Sequence, residues 1–179
     1  MGLHGRAAEV YKGGGLVLSA KDYPDISGVE AAFDKAIEWL HDKRVFGAAM
    51  LRDDAIAGLI EETASFLSKG IERGLGESSP SEAMVNSLRE SVGVFSGFKT
   101  FHEMKEAAGM LLDESGNIKP FEQYYKDVQT LNDTYNKFYL KTEYDFTVAS
   151  SEMAARWEEQ RDDGGGRYLL QYRTVGDNK

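Results

Sequence analysis

From Pro120 to Glu159, apolar side chains recur every three or four residues: Phe121, Tyr124 or Tyr125, Val128, Leu131, Tyr135, Phe138, Thr142, Phe146, Ala149, Met153 and Trp157. A 3.6-residue repeat gathers such a series on one side of a helix, whereas a two-residue repeat scatters it. Both ends are marked. Pro120 has no amide hydrogen to lose at the first helical position, and Gly164-Gly165-Gly166 ends any helix that has passed Trp157, Glu158, Glu159 and Arg161. Unbroken, this helix would be roughly 60 Å long, against a diameter of roughly 40 Å for a compact chain of this size. The mismatch predicts a break, placed at Asn132-Asp133-Thr134 because those side chains compete for backbone hydrogen bonds. The series on the stripe is expected to face the core.

The remaining pattern predicts shorter elements. Ser27-Gly28-Val29-Glu30 forms a capping box for a helix whose stripe is Val29, Phe33, Ile37 and Leu40, ending near Lys43-Arg44. A second helix, Arg52 to Arg73, runs through Ile56, Leu59, Ile60, Thr63, Leu67 and Ile71 and is closed by Gly74-Leu75-Gly76. Ser79-Pro80-Ser81-Glu82 starts a third, short helix to about Glu90, and Thr100-Phe101-His102-Glu103 starts a fourth that ends near Leu112. Val92 to Lys99 reads as a glycine-punctuated connection, with Val94, Phe95 and Phe98 tucked inward. Asp113-Glu114-Ser115-Gly116-Asn117 reads as a turn. Beyond the long helix, Arg167 to Val175 switches to period two, with Tyr168, Leu170, Tyr172 and Thr174 on one face. A lone strand must find a partner: the extended piece at Leu16-Val17-Leu18, a further C-terminal part of its own module, or another chain.

The fold class is therefore mainly α: a helical bundle around a long kinked C-terminal helix, with a short terminal β-strand. Residues 1–24 make a glycine-rich flexible arm, 25–161 the helical domain, and 162–179 a strand beginning a further module.

Composition narrows the function classes. At 41% hydrophobic and 28% charged, with three prolines, the chain has the make-up of an ordered globular protein. Its longest apolar runs fall far short of the ~20 residues that span a bilayer, and no signal-peptide pattern opens it, so it is expected to stay in the cytoplasm in which it is made. Thirty acidic against twenty-one basic residues give a net charge of -9, which opposes non-specific binding to DNA. Lys126, Lys137 and Lys141 lie at helical spacing, but Asp127, Asp133, Glu143 and Asp145 are interleaved with them. With no cysteine there are no disulfides and no thiolate chemistry.

Candidate chemistry is sparse. His102-Glu103-Met104-Lys105-Glu106 opens like a zinc-protease helix, but position 106 is glutamate where the second histidine is needed. His41 suits the end of the first helix, where a cation meets the helix dipole. Asp113 to Asn117 lacks the ligand spacing of a calcium loop. Glu143, Glu152 and Glu159 lack the histidines of a carboxylate metal site in a bundle. No catalytic residue, metal or cofactor is expected. Tyr139 and Tyr144 fall off the apolar stripe, and exposed aromatics beside Lys141 and Arg156 have the composition of an interaction hot spot.

Several linked blocks carry a family resemblance. Asn132-Asp133-Thr134-Tyr135-Asn136, Tyr139-Leu140-Lys141-Thr142-Glu143-Tyr144, Met153-Ala154-Ala155-Arg156-Trp157 and Leu169-Leu170-Gln171-Tyr172-Arg173-Thr174-Val175-Gly176-Asp177 resemble, in order and spacing, the Mu F-like family of phage minor head (head morphogenesis) proteins. Val94 to Thr100 and Asp113 to Phe121 also resemble segments of its prophage members, so the likeness runs over roughly Ser91 to Asp177. Family members continue into a basic, histidine-containing segment and a cysteine-rich end, which this sequence does not include. The resemblance implies a minor head protein acting in the host bacterial cytoplasm during assembly and in the virion head. Its implied partners are the portal protein and capsid interior proteins, with a homo-oligomer through the terminal strand as a further expectation. The implied interaction surface comprises Lys141, Glu143, Tyr144, Arg156, Trp157, Tyr172, Arg173 and Asp177. Three other readings remain open at this point: the carrier portion of a phage-borne toxin, a helical protein-interaction module of unrelated role, and an enzyme using acidic side chains and a metal.

Overall fold

The structure, a computed structural model, describes residues 23–164. Most of the expected arm and the strand expected over Arg167 to Val175 lie outside the described residues.

Helix α1 (Ser27–Lys43) starts near its predicted cap, but Ser27 is its first residue. The capping oxygens come from Asp25, which accepts from the Ser27 amide at 3.0 Å and the Ser27 hydroxyl at 2.6 Å. Those bonds hold the Asp25 carboxyl below its ordinary value. Val29, Phe33, Ile37 and Leu40 are buried, as their spacing predicts. The helix ends where Arg44 turns left-handed at φ 61° and its amide donates back to the Leu40 carbonyl. The chain is anchored already at Tyr23, inside the expected arm: its hydroxyl donates to Asp145 at 2.7 Å and its ring meets that of Tyr144.

A 3-10 turn (Ala48–Arg52) leads into α2 (Asp54–Leu75), which packs against α1, α3 and α5. It ends at Gly76, whose φ of 53° a side chain would resist. Its own glycines serve a different purpose. A β-carbon on Gly70 would sit 3.2 Å from the Thr147 side chain, and one on Gly74 would overlap the Val148 carbonyl oxygen, so both let α5 approach closely.

The expected third and fourth helices are a single helix, α3 (Glu82–Gly109). Gly93 and Gly97, read as marks of a connection, lie inside it with open space where a β-carbon would be. Each costs about 1 kcal/mol relative to alanine, which a helix of this length absorbs. The cap is Ser81 rather than Ser79, accepting from the Met84 amide at 3.3 Å. Val94, Phe95 and Phe98, expected inside, are exposed.

A turn over Asp113 to Asn117 leads into α4 (Phe121–Asn132), with Asp113 Oδ1 accepting from the Ser115 and Asn117 amides and Gly116 at φ 80°. Its N-terminal end is tied to α1, since His41 Nε2 lies 2.9 Å from the Lys119 carbonyl oxygen. The expected break at Asn132-Asp133-Thr134 is a change of helix type. Asp133–Tyr139 is π-helical, and the chain continues from it into α5 (Leu140–Gly164).

This π stretch resets which side of the helix faces the core. Val128 and Leu140 are both fully buried, yet twelve residues of regular α-helix would leave them about 120° apart. The wider i→i+5 turn absorbs the difference. Downstream, the buried residues are Leu140, Tyr144, Val148, Ser151, Ala155 and Glu158. Phe138, Phe146, Met153 and Trp157, extrapolated inward from a uniform repeat, point to solvent. Among the described residues no strand forms, only an isolated antiparallel bridge between Leu112 and Ile118. No described helix is long and apolar enough to cross a membrane.

Candidate interaction site between α3 and α5

Helices α3 and α5 run antiparallel, pinned at two levels. At one end the Glu158 carboxylate accepts from the Ser81 amide at 2.6 Å and its hydroxyl at 2.5 Å, bonds that lower the Glu158 pKa. Further along, Lys99 Nζ meets Glu143 Oε2 at 3.1 Å. Between these ties the helices part over α2 and leave an apolar groove of about 400 Å³. Leu67 and Ile71 of α2 are among its lining, with Leu88, Val92 and Phe95 on the α3 side and Phe146 and Thr147 on the α5 side. Apolar clefts between helices are where an amphipathic helix of a partner seats its anchors.

The groove abuts a buried polar cluster under the π stretch. Glu103 is 1% exposed and accepts from Asn136 Nδ2 at 2.8 Å. Asn136 also donates to Asn132 Oδ1, so two amides on consecutive turns line up against α3. Burial pushes the Glu103 carboxyl up to about 7, against the pull of Lys99 and Asn136. Burial also raises Glu143, again opposed by Lys99. Lys99 Nζ donates to the Tyr135 carbonyl at 2.5 Å and lies over the Tyr135 ring, so one lysine holds the π turn, Glu143 and α3 together. The Tyr135 hydroxyl donates to Glu106 at 2.8 Å; burial, then that bond, push it up to about 12. These contacts shape one end of the groove. Among the described residues, no group of three or more histidine or carboxylate side chains converges to hold a metal ion.

The expected interaction residues do not form one surface. Lys141 is exposed, with its ammonium 5.7 Å from the Tyr23 ring centroid. Glu143 lines the groove beside Lys99. Arg156 is exposed and pairs with Glu152 one turn back. Trp157 is 52% exposed. Tyr144 corrects the expectation: at 2% exposure it is a core residue packed edge-on to Phe66, because the π stretch turned its face inward. Tyr172, Arg173 and Asp177 lie outside the described residues.

Sequence reasoning missed Leu88, Val92 and Phe95 as a wall. Their spacing of four and three was a helical signal, obscured by reading Gly93 and Gly97 as breaks. It also missed the Lys99, Glu103 and Asn136 cluster, whose members are far apart in sequence and carry no local motif.

The chain matches no protein-family model, no curated protein and no solved structure.

Proposed function

We propose that the chain works by docking other proteins rather than by catalysis, as a phage or prophage minor head protein acting in capsid assembly, portal association or genome delivery. The observation that carries the docking role is the exposed apolar surface of α3 and α5. Phe98, Phe146 and Met153 are 64%, 73% and 71% exposed beside an open apolar groove, where an isolated soluble domain rarely leaves such a patch without use. The assignment to a phage head rests on the resemblance to Mu F-like proteins, and two of the blocks that carry it, Tyr139 to Tyr144 and Met153 to Trp157, lie at the start of and within the helix that bears Phe146 and Met153. The partner is an amphipathic helical segment of the portal protein, seated between Phe95 and Phe146.

A pull-down against the portal protein encoded beside this chain tests it. Saturable capture that Phe95→Glu abolishes supports the proposal. Absence of capture, or capture indifferent to Phe95→Glu, removes it.

A further inference from the structure

We infer that the outward ridge of α5 is the docking site of the segment that follows it in the chain, Leu169 to Val175, which folds back along the helix it has just left. The inference rests on the geometry of α5 and on the sequence after it, not on the phage-head proposal.

Phe146, Met153 and Trp157 lie within about 20° of one line along α5. They are 73%, 71% and 52% exposed, so no described element covers that line. The sequence beyond the helix carries a matching pattern. Leu170, Tyr172 and Thr174 alternate, and in extended backbone alternate residues face the same way at steps of roughly 6.6 Å. On the ridge, Trp157 and Met153 are four helical residues apart, a step of roughly 6 Å.

Reach and direction agree with this pairing. Helix α5 ends at Gly164, and Gly165-Gly166 can reverse the chain at little steric cost. Measured back from Gly164 at ~1.5 Å per residue, Trp157, Met153 and Ser150 lie at roughly 10, 17 and 21 Å. A segment running back from Arg167 at ~3.3 Å per residue brings Leu170, Tyr172 and Thr174 to roughly 10, 17 and 23 Å. Leu170 is then level with Trp157, Tyr172 with Met153 and Thr174 with Ser150, and Val175 ends at the edge of the groove near Phe146. The tether removes the need for a large interface. A segment joined by so short a linker is held at an effective concentration on the order of 1 mM, where a contact with an intrinsic dissociation constant of roughly 0.1 mM is about nine-tenths formed. A free partner at micromolar concentration has no such advantage. Docked there, the segment withholds the ridge from other chains and leaves the groove between Phe95 and Phe146 open.

The chain has two tryptophans, Trp39 and Trp157, so Trp39→Phe in the full 179-residue chain leaves Trp157 as the sole reporter. Its fluorescence should be shielded from acrylamide. Adding Leu170→Glu and Tyr172→Glu should raise quenching about threefold as the docked fraction falls, with the helical circular dichroism unchanged because both positions lie beyond α5. Gln171→Glu, on the opposite face of the extended segment, should leave quenching as it was. Peroxide oxidation of Met153, read by mass spectrometry in the chain that keeps both tryptophans, should follow the same order without Trp39→Phe. Quenching and oxidation indifferent to Leu170→Glu and Tyr172→Glu overturn the inference, as does an equal response to Gln171→Glu. Shielding that grows with protein concentration also overturns it, since the cover would then be a second copy. No portal protein is present in these measurements, so their failure is distinguishable from failure of portal capture.

Discussion

The Asn136 side-chain amide donates to Glu103 Oε1 at 2.8 Å, joining the π-helical stretch to α3 at a point neither residue shares with solvent. The bond orients Glu103 but does not compensate for the loss of water, which is why its pKa rises from 4.5 to about 7. In this window the folded state holds a proton that the unfolded chain has released. Stability from this group is therefore fully present below pH 4.5 and is lost as pH rises through 7. Glu103→Gln should melt close to the parent at pH 4.5 and above it at pH 8, by up to about 3 kcal/mol. Parallel melting curves across that range would refute the assignment.

Glu158 titrates with the opposite sign. The Ser81 hydroxyl and amide hydrogen-bond its ionised form and lower its pKa. Its contribution is present above the ordinary carboxylate value and lost as pH falls through the lowered one. Glu158→Gln should remove part of the acid sensitivity of the fold while leaving stability between pH 6 and 8 slightly reduced. Acid titration of the variant followed by circular dichroism checks this.

Two aromatic residues two positions apart should respond in opposite ways. Tyr144 packs against Phe66 and Tyr23 in the core, whereas Phe146 is exposed. Tyr144→Ala should cost about 3–5 kcal/mol in denaturant unfolding, and Phe146→Ala less than about 0.5 kcal/mol. A uniform helical repeat from Pro120 onward would give the reverse ranking.

Glycines separate in the same way. Gly74 meets the Val148 backbone, which cannot rotate aside, so Gly74→Ala should destabilise by about 1–3 kcal/mol or more. Gly93 faces open space in mid-helix, and Gly93→Ala should stabilise by about 1 kcal/mol. Equal effects would mean that α2 and α5 are not in close contact.

The comparison of these residues shows where local pattern sufficed. Helices α1 and α2 and the stripe as far as Leu131 followed from spacing, because there one helical repeat operates throughout, although the capping box expected at Ser27 did not form. Asn132-Asp133-Thr134 marked the irregularity, but sequence cannot tell a break from a π turn: the choice depends on Glu103 and Lys99, more than thirty residues away, offering partners to Asn136 and the Tyr135 carbonyl. That single change of turn inverted the burial expectations for Phe138, Tyr144, Phe146, Met153 and Trp157, while Tyr139, expected outside, is exposed. It also explains why the exposed ridge was read as core and Tyr144 as surface. Gly93 and Gly97 misled in the other direction, since a glycine breaks a helix only when packing on either side does not hold it.

Side-chain oxidative footprinting of the chain with and without the portal protein tests docking in the groove most directly. Leu88 and Phe95, which line the groove, should lose labelling on addition of the portal, while Val45, exposed on the α1–α2 connection, should not change. A complex that forms while Leu88 and Phe95 label as in the free chain would contradict the assignment of the groove.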